Sequence, residues 1–288
     1  MTVLSLKAGR IGLDLAPLAG GSIARFTVDG RDVLRPMAPD EKASGRGIHG
    51  SSYALVPFAG RVGNGRLLFQ GEELQLTPNW PGVVHPIHGD GWWHPWHVAQ
   101  SDGTSAELVY LHERAAAQGG WPFRYRAVQR FRLDGDRLII GISLENLEDR
   151  TVPAGIGLHP YFVRDDDSRL ACRAQTVWRM DAEVLPLEKV AIPAEWDFAK
   201  GKRVNDVALD TAFEGWDGRA TLTWPSRQLR LELEASETLA HHLVLYLPPG
   251  QDFFCVEPLS HTPGQVGTAP LGSRATLAGE ATFQFSNL

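Results

Sequence analysis

Alternation of apolar and polar side chains with a period of two constrains this chain more than any other feature. From Phe123 to Leu133 one face carries Phe123, Tyr125, Ala127, Phe131 and Leu133, and the other carries Arg124, Arg126, Arg130 and Arg132 around Val128. Successive side chains of a strand point to opposite faces, so the segment is predicted to be a half-buried β-strand. Asp134-Gly135-Asp136 marks a turn, and Leu138, Ile140, Ile142 and Leu144 continue the pattern as its hairpin partner. On this reading the four arginines form a solvated outer face, balanced by cross-strand acids such as Glu145, and not a basic patch.

The same signal recurs. Leu229, Leu231, Leu233 and Ala235 alternate with Arg230, Glu232 and Glu234. Gln70-Gly71-Glu72 separates Arg66–Phe69 from Leu74–Leu76, and Glu107–His112, Leu243–Leu247 and Phe253–Val256 are further short strand candidates. No window of 12 residues shows helical apolar spacing, although Arg114–Ala117 has the composition for one helical turn before Gly119-Gly120. Many short strands punctuated by 30 Gly and 19 Pro predict an all-β chain, a large antiparallel β-sandwich. With no repeat or linker visible, residues 1–288 are expected to form a single domain. Pro186–Val207, which carries Pro193, Gly201 and mixed charges, is expected to be an inserted surface excursion.

With 28 basic and 34 acidic side chains the formal net charge is −6, which supplies no electrostatic reason to bind nucleic acid or an anionic membrane. Lys7, Arg10 and Asp14 interrupt the N-terminus before a signal peptide can form, and no apolar run approaches a membrane span. A soluble cytoplasmic protein is expected. Cys172 and Cys255 are too few for a disulfide framework and read as small buried hydrophobes.

Four segments concentrate polar groups where strand or tight turn is expected. In Pro57–Gly65, Arg61 lies among glycines. Its planar fork suits vicinal hydroxyls or a carboxylate of a ligand, and equally a neighbouring acid of the protein. The run His85–His97 holds four histidines, but Pro and Gly break any helix that would align them, and no acidic pair completes a metal pattern, so no metal is expected. Its tryptophans suit either sugar stacking or core packing. His159, within Gly155–Phe162, has the setting of a hydrogen-bonded core histidine or of a catalyst. Glu257 follows the apolar run Phe253–Val256, and a buried carboxylate must be paired, hydrogen-bonded or shifted in pKa. Those conditions also make a general base, so a strand-end ion pair and a catalytic role both stay open. No Ser-His-Asp set, phosphate loop or cofactor fingerprint accompanies these groups. The collection suits proton transfer on a neutral polar substrate.

The four segments, taken in order, resemble the aldose 1-epimerases, or galactose mutarotases, in their shorter bacterial form. The landmarks are Pro57-Phe58-Ala59-Gly60-Arg61-Val62 with Asn64-Gly65, and His85-Pro86-Ile87-His88-Gly89-Asp90-Gly91-Trp92. Gly157-Leu158-His159-Pro160-Tyr161-Phe162, Leu209-Asp210 with Phe213, and Val256-Glu257-Pro258 follow. The resemblance runs from about Arg10 to the C-terminus. It implies a galactose mutarotase-like β-sandwich with an open cleft that binds a free aldose as its small-molecule partner and needs no cofactor. By this likeness the chain is an isomerase. Glu257 would be the general base on the anomeric hydroxyl, His159 the general acid at the ring oxygen, and His88 a positioning and polarising group. Arg61 and Asp210 would hold the sugar hydroxyls.

Two departures bear on the pocket rim and hence on the preferred sugar. Gly60 stands where the family commonly has Asn, and Ser260–Val266 lacks the acidic-small-aromatic run often seen after the glutamate. Other readings remain: a non-catalytic sugar-binding module on the same scaffold, a glycosidase pairing Asp210 with Glu257, or a hexose-phosphate 1-epimerase with Arg66 or Arg124 at the phosphate. The sequence leaves open the oligomeric state, and whether Trp92, His94 or His97 reaches the substrate.

Overall fold

The hairpin anticipated from the alternation forms at Tyr125–Asp134 and Arg137–Asn146, closed by Gly135-Asp136 with Asp134 opposite Arg137. Gly135 has φ of 59°, the left-handed conformation that tight hairpin turns require. This is a computed structural model describing residues 3–40, 45–113 and 119–288, so the Ala-rich segment at 114–117 lies outside the described residues. The arginine face is solvated as expected. Arg130 pairs with Glu107 (2.7 Å), Arg124 with Glu148 (3.1 Å) and Arg132 with Asp134 (3.2 Å), while Glu145 lies opposite Arg126 in the register.

That hairpin sits inside a nine-stranded antiparallel sheet. Its order is Lys202–Arg203, Arg169–Cys172, Arg219–Trp224, Leu229–Ala235, Thr276–Asn287, Arg137–Asn146, Tyr125–Asp134, Ser105–His112 and His97–Ser101. A second, eight-stranded antiparallel sheet runs Pro186–Ala191, Thr176–Met180, Leu209–Glu214, His242–Leu247, Phe253–Leu259, Gly157–Leu158 and Ala54–Leu55. Tyr161–Val163 also pairs with Phe253–Leu259. A four-stranded N-terminal sheet covers Leu4–Ala8 to Arg31–Asp32 and packs on the nine-stranded sheet, with Phe26 5.4 Å from Phe285. Helical structure consists chiefly of three-residue 3-10 turns, and no described helix is long and apolar enough to cross a membrane.

The two large sheets face each other across a core that draws on residues from Leu6 to Phe285. Phe162 ties them together, with its ring 5.8 Å from Phe254 in its own sheet, 5.8 Å from Phe283 and 6.4 Å from Trp224 in the other. Each such fully buried aromatic stabilises the sandwich by roughly 1.5–3 kcal/mol. The Pro186–Val207 stretch proves not to be a mere excursion. Pro186–Ala191 forms the edge of one large sheet and Lys202–Arg203 the edge of the other, and Phe198 and Val204 are buried in the core.

Period two then places the chemistry. In Phe253–Leu259, Phe254 and Val256 enter the inter-sheet core, so Cys255 and Glu257 must face the opposite side. Leu243, Leu245 and Leu247 alternate likewise with Val244 and Tyr246, and Leu209 and Phe213 with Asp210 and Ala212. The outer face of the eight-stranded sheet is therefore the floor of a cleft.

Candidate active site

Adjacent strands bring the floor together. Val244 pairs with Glu257 and Asp210 with Tyr246, which sets the two carboxyls on one face separated by a strand. His159 arrives from the short link between Gly157–Leu158 and Tyr161–Val163, its N–H donating to the Tyr53 carbonyl (3.1 Å). Arg61 and His88 come from two loops that pair with each other, Arg61 lying opposite Ile87 and the His88 N–H donating to the Gly60 carbonyl (2.9 Å). All five residues singled out in the sequence, Arg61, His88, His159, Asp210 and Glu257, line one pocket of about 310 Å³.

His159 Nε2 lies 3.4 Å from Glu257 Oε1, and both side chains are buried. Burial pushes the Glu257 carboxyl well above its ordinary range, Asp210 adds to the rise, and Arg61 partly offsets it. The same burial lowers His159 to about 3, with Arg35 and Arg61 contributing. Low dielectric thus opposes a charge on either group, which favours a proton on Glu257 over an ion pair with His159. Burial also raises Asp210, against the pull of Arg61.

His88 adopts φ of 59°, which is rare for a residue with a side chain. It is held there by a reciprocal bond, because the Gly60 N–H donates to His88 Nδ1 (3.1 Å). Burial, with His159 and Arg61, lowers its pKa well below the usual value, so the ring is neutral. A neutral imidazole accepting at Nδ1 carries its hydrogen on Nε2. His88 is therefore a fixed donor, its ring 5.2 Å from His159 and edge-on to it. The His159 imidazole is itself stacked on Tyr53 (4.9 Å) and Tyr161 (4.6 Å).

The rim is largely apolar. Ile48, Trp80, Val83, Ile87, Met180 and Val184 surround the polar floor, and Arg61 is the only Lys or Arg among the described lining residues. Arg66 pairs with Glu73 and Arg124 with Glu148, and neither lines the pocket. Trp92, His94 and His97 do not line it either. Trp92 is fully buried, His94 stacks on Tyr110 at 5.4 Å, and His97 opens an exposed edge strand. His85 accepts from the Asn64 N–H (3.0 Å) at Nδ1 and pairs with Glu183 (3.1 Å) at Nε2. The four histidines of this segment thus go separate ways. A different trio, His159, Cys255 and Glu257, has ligand atoms within 4.8 Å of one another, but burial holds the Cys255 thiol protonated, its pKa far above the usual value. A softer metal would have to displace that proton.

Sequence reasoning missed Tyr53, Trp80, Met180, Val184 and Tyr246, none of which carries a local signal distinguishing it from core or rim. Tyr161 was within reach, since it lies in the same motif as His159. A larger concavity of about 940 Å³, lined by Trp93, His94, Tyr110 and Trp121, lies beyond Trp80. Its polar groups Asp90 and His112 are tied to protein partners. His112 Nδ1 binds Asp90 (2.7 Å), His112 Nε2 donates to the Trp121 carbonyl (3.0 Å), and the Tyr125 hydroxyl donates to Asp90.

The two departures noted in the sequence meet in space. Gly60 has φ of 70°, and a Cβ built there would fall 2.4 Å from Pro263 Cβ. Both residues line the pocket, so Pro263 fills the wall that a side chain at position 60 would occupy. Gly60→Ala is expected to lower stability by about 2–4 kcal/mol, combining left-handed strain with overpacking. Chemical denaturation would read this, and Gly60→Ala/Pro263→Gly should recover only the overpacking share. An unchanged midpoint in the single variant would contradict the contact.

A sequence profile described as aldose 1-epimerase matches residues 2–281. The uncharacterised Escherichia coli K12 protein YphB is 32% identical over 290 residues, covering 98% of this chain and 96% of its own. A second E. coli protein, YihR, also uncharacterised, is 25% identical over 80% of this chain and 75% of its own. Among solved structures, an E. coli K12 protein provisionally assigned as an aldose 1-epimerase superposes with a TM-score of 0.89 at 30% identity, covering 100% of this chain and 99% of that one. Galactose 1-epimerase from Lactobacillus acidophilus shares the fold with a TM-score of 0.82 at 20% identity, over 99% and 94%. The profile, the E. coli relative and the solved neighbour show that the chain belongs to the aldose 1-epimerase family.

Proposed function

We infer that the protein is an aldose 1-epimerase, interconverting the α and β anomers of a free aldose, and that the whole chain works as one domain to do so. The observation that carries this reading is the 3.4 Å separation of His159 Nε2 and Glu257 Oε1 on the pocket floor. The anomeric oxygen and the ring oxygen of an aldopyranose share one carbon, so the base for one and the acid for the other must stand side by side.

In the reactive form Glu257 is a carboxylate and His159 an imidazolium. Glu257 takes the proton of the C1 hydroxyl, the C1–O5 bond breaks as C1=O1 forms, and His159 gives its proton to O5. Rotation about C1–C2 presents the other carbonyl face, and the transfers run backwards to close the ring. Ring opening converts a buried ion pair into a neutral pair, and in a pocket that opposes both charges this favours the open-chain intermediate. His88, fixed as an Nε2–H donor, polarises the same oxygens without changing charge. Arg61 and Asp210 orient the remaining hydroxyls, and no further group is needed for the proton balance.

The volume of about 310 Å³ is at the small end of ligand pockets and suits a single sugar ring. The apolar rim and the lone Arg61 support an uncharged aldose over a hexose phosphate. NMR exchange between the anomeric resonances of glucose and of galactose, each compared with glucose 6-phosphate, tests both claims. Acceleration of the free sugars and little of the phosphate is expected. Exchange no faster than buffer across free aldoses that demonstrably bind would end the catalytic reading, and a preference for the phosphate would move the assignment to a hexose-phosphate epimerase.

A further inference from the structure

Arg35 lies outside the pocket lining and outside every motif noted in the sequence, yet it is connected to the acid–base pair by ring contacts. Its N–H donates to the Tyr161 carbonyl (2.8 Å), next to the bridge between Leu34 and Phe162. The side chain then folds back so that Cζ stands 4.6 Å from the ring centroid of Tyr161 and 4.6 Å from that of Phe253. The two rings meet edge to face at 4.9 Å and 67°. Tyr161 also stacks on His159, with centroids 4.6 Å apart and planes within 13°, and Tyr53 stacks on His159 at 4.9 Å. Guanidinium, tyrosine, imidazole and tyrosine thus form one continuous packed series.

We propose that Arg35 is a positioning residue for His159: it pins the Tyr161 ring against the imidazole and, as a cation on that ring, opposes positive charge on the imidazole. Two observations and one physical argument support this. No carboxylate among the described residues forms an ion pair with Arg35, so its charge is not cancelled locally. A guanidinium over two aromatic faces is held by the ring quadrupoles, which fixes its place without a counter-ion. A tyrosine that already faces one cation is also a poorer partner for a second, and His159 becomes that second cation whenever it carries the proton. The assignment rests on the acid–base reading of the same pocket.

The consequence is a more acidic imidazolium, which gives up its proton to a weakly basic ring oxygen more readily. The other titratable or charged groups around His159 are Glu257 and Cys255 from Phe253–Leu259, His88 and Arg61 from the paired loops, and the flanking Tyr53 and Tyr161. A single charge about two stacking distances away, at an effective dielectric of about 20, moves a midpoint by about one pH unit.

The test compares Arg35→Gln and Arg35→Met with Arg35→Lys. The His159 midpoint is read from its ring carbon and proton resonances, identified by their loss in His159→Asn. The acid limb of kcat/KM is read in parallel by pH-jump assay, so that slow acid unfolding does not intervene. Arg35→Gln and Arg35→Met should raise the midpoint by about one unit and carry the acid limb upward with it, and Arg35→Lys should leave both near wild type. Arg35→Met keeps the length of the side chain and serves if the glutamine variant folds poorly. An unmoved midpoint in the uncharged variants overturns the proposal, and so does an equal shift in Arg35→Lys, which would mean packing and not charge. The resonance readout does not depend on turnover. Loss of the shift with anomer exchange intact removes Arg35 alone, and a shift in a protein that turns over no aldose removes the reaction and keeps the coupling.

Discussion

Glu257→Gln is expected to slow anomer exchange about 10²–10⁴-fold, the usual contribution of a positioned general base. Binding of the sugar, measured by calorimetry, should change only a few-fold. Gln has the same shape and still presents an oxygen to the anomeric hydroxyl, so the complex is kept while the proton acceptor is removed. That separation follows from a role confined to the transition state. The fold should tolerate the change, because Glu257 is buried on a floor where its charge is already disfavoured, and a neutral amide needs no counter-charge. Loss of less than tenfold, in a protein that binds sugar normally, would assign the base elsewhere.

His159→Asn should cost a similar factor, and its pH dependence gives the sharper result. The active wild-type pair holds one proton. As pH falls towards about 3, His159 gains a proton while Glu257 keeps its own, no base remains, and activity drops. As pH rises through the raised midpoint of Glu257, the single proton leaves, no acid remains, and activity drops again. These midpoints belong to the coupled pair, not to either group alone. Removing one partner leaves one limb and reverses its sense. In His159→Asn only the carboxylate is needed, so residual activity should rise with pH. In Glu257→Gln only the imidazolium is needed, so residual activity should rise as pH falls. The double variant should lose little beyond the worse single one, because acid and base act in one transfer. Parallel pH slopes in the two single variants, or fully additive losses, would separate the pair.

Much of this was legible before the fold was known. Alternation locates the arginine-faced strand, its hairpin partner and Leu229–Ala235, and the apolar run Phe253–Val256 marks a further strand. They form at Tyr125–Asp134, Arg137–Asn146, Leu229–Ala235 and Phe253–Leu259, the first starting two residues late and the last running three residues further. Arg61, His88, His159, Asp210 and Glu257 are the set implied by the family resemblance that the ordered motifs carry, and they line a single pocket. The Pro186–Val207 stretch was misjudged because its edge strands are exposed and polar, so they lack the half-buried pattern that marks a strand from sequence. Arg35 carried no signal at all. Its surroundings, Tyr161 and Phe253, lie more than 120 and 210 residues away, and nothing near Arg35 in the chain refers to them.

The sequence by itself determined which faces could be buried. Period two is a local property, and it obliges Glu257 and Asp210 to point away from the core whose leucines and phenylalanines flank them. It also supplied the residue types for proton transfer. Only the tertiary structure decided the distances between them. Register between the strands bearing Asp210 and Glu257, the pairing of the Arg61 and His88 loops, the fit of Pro263 into the space left by Gly60, and the stack from Tyr53 to Arg35 all join remote segments. Those contacts form only when the core closes, and it is the dry surroundings they create that move the protons of Glu257 and His159 away from their ordinary ranges.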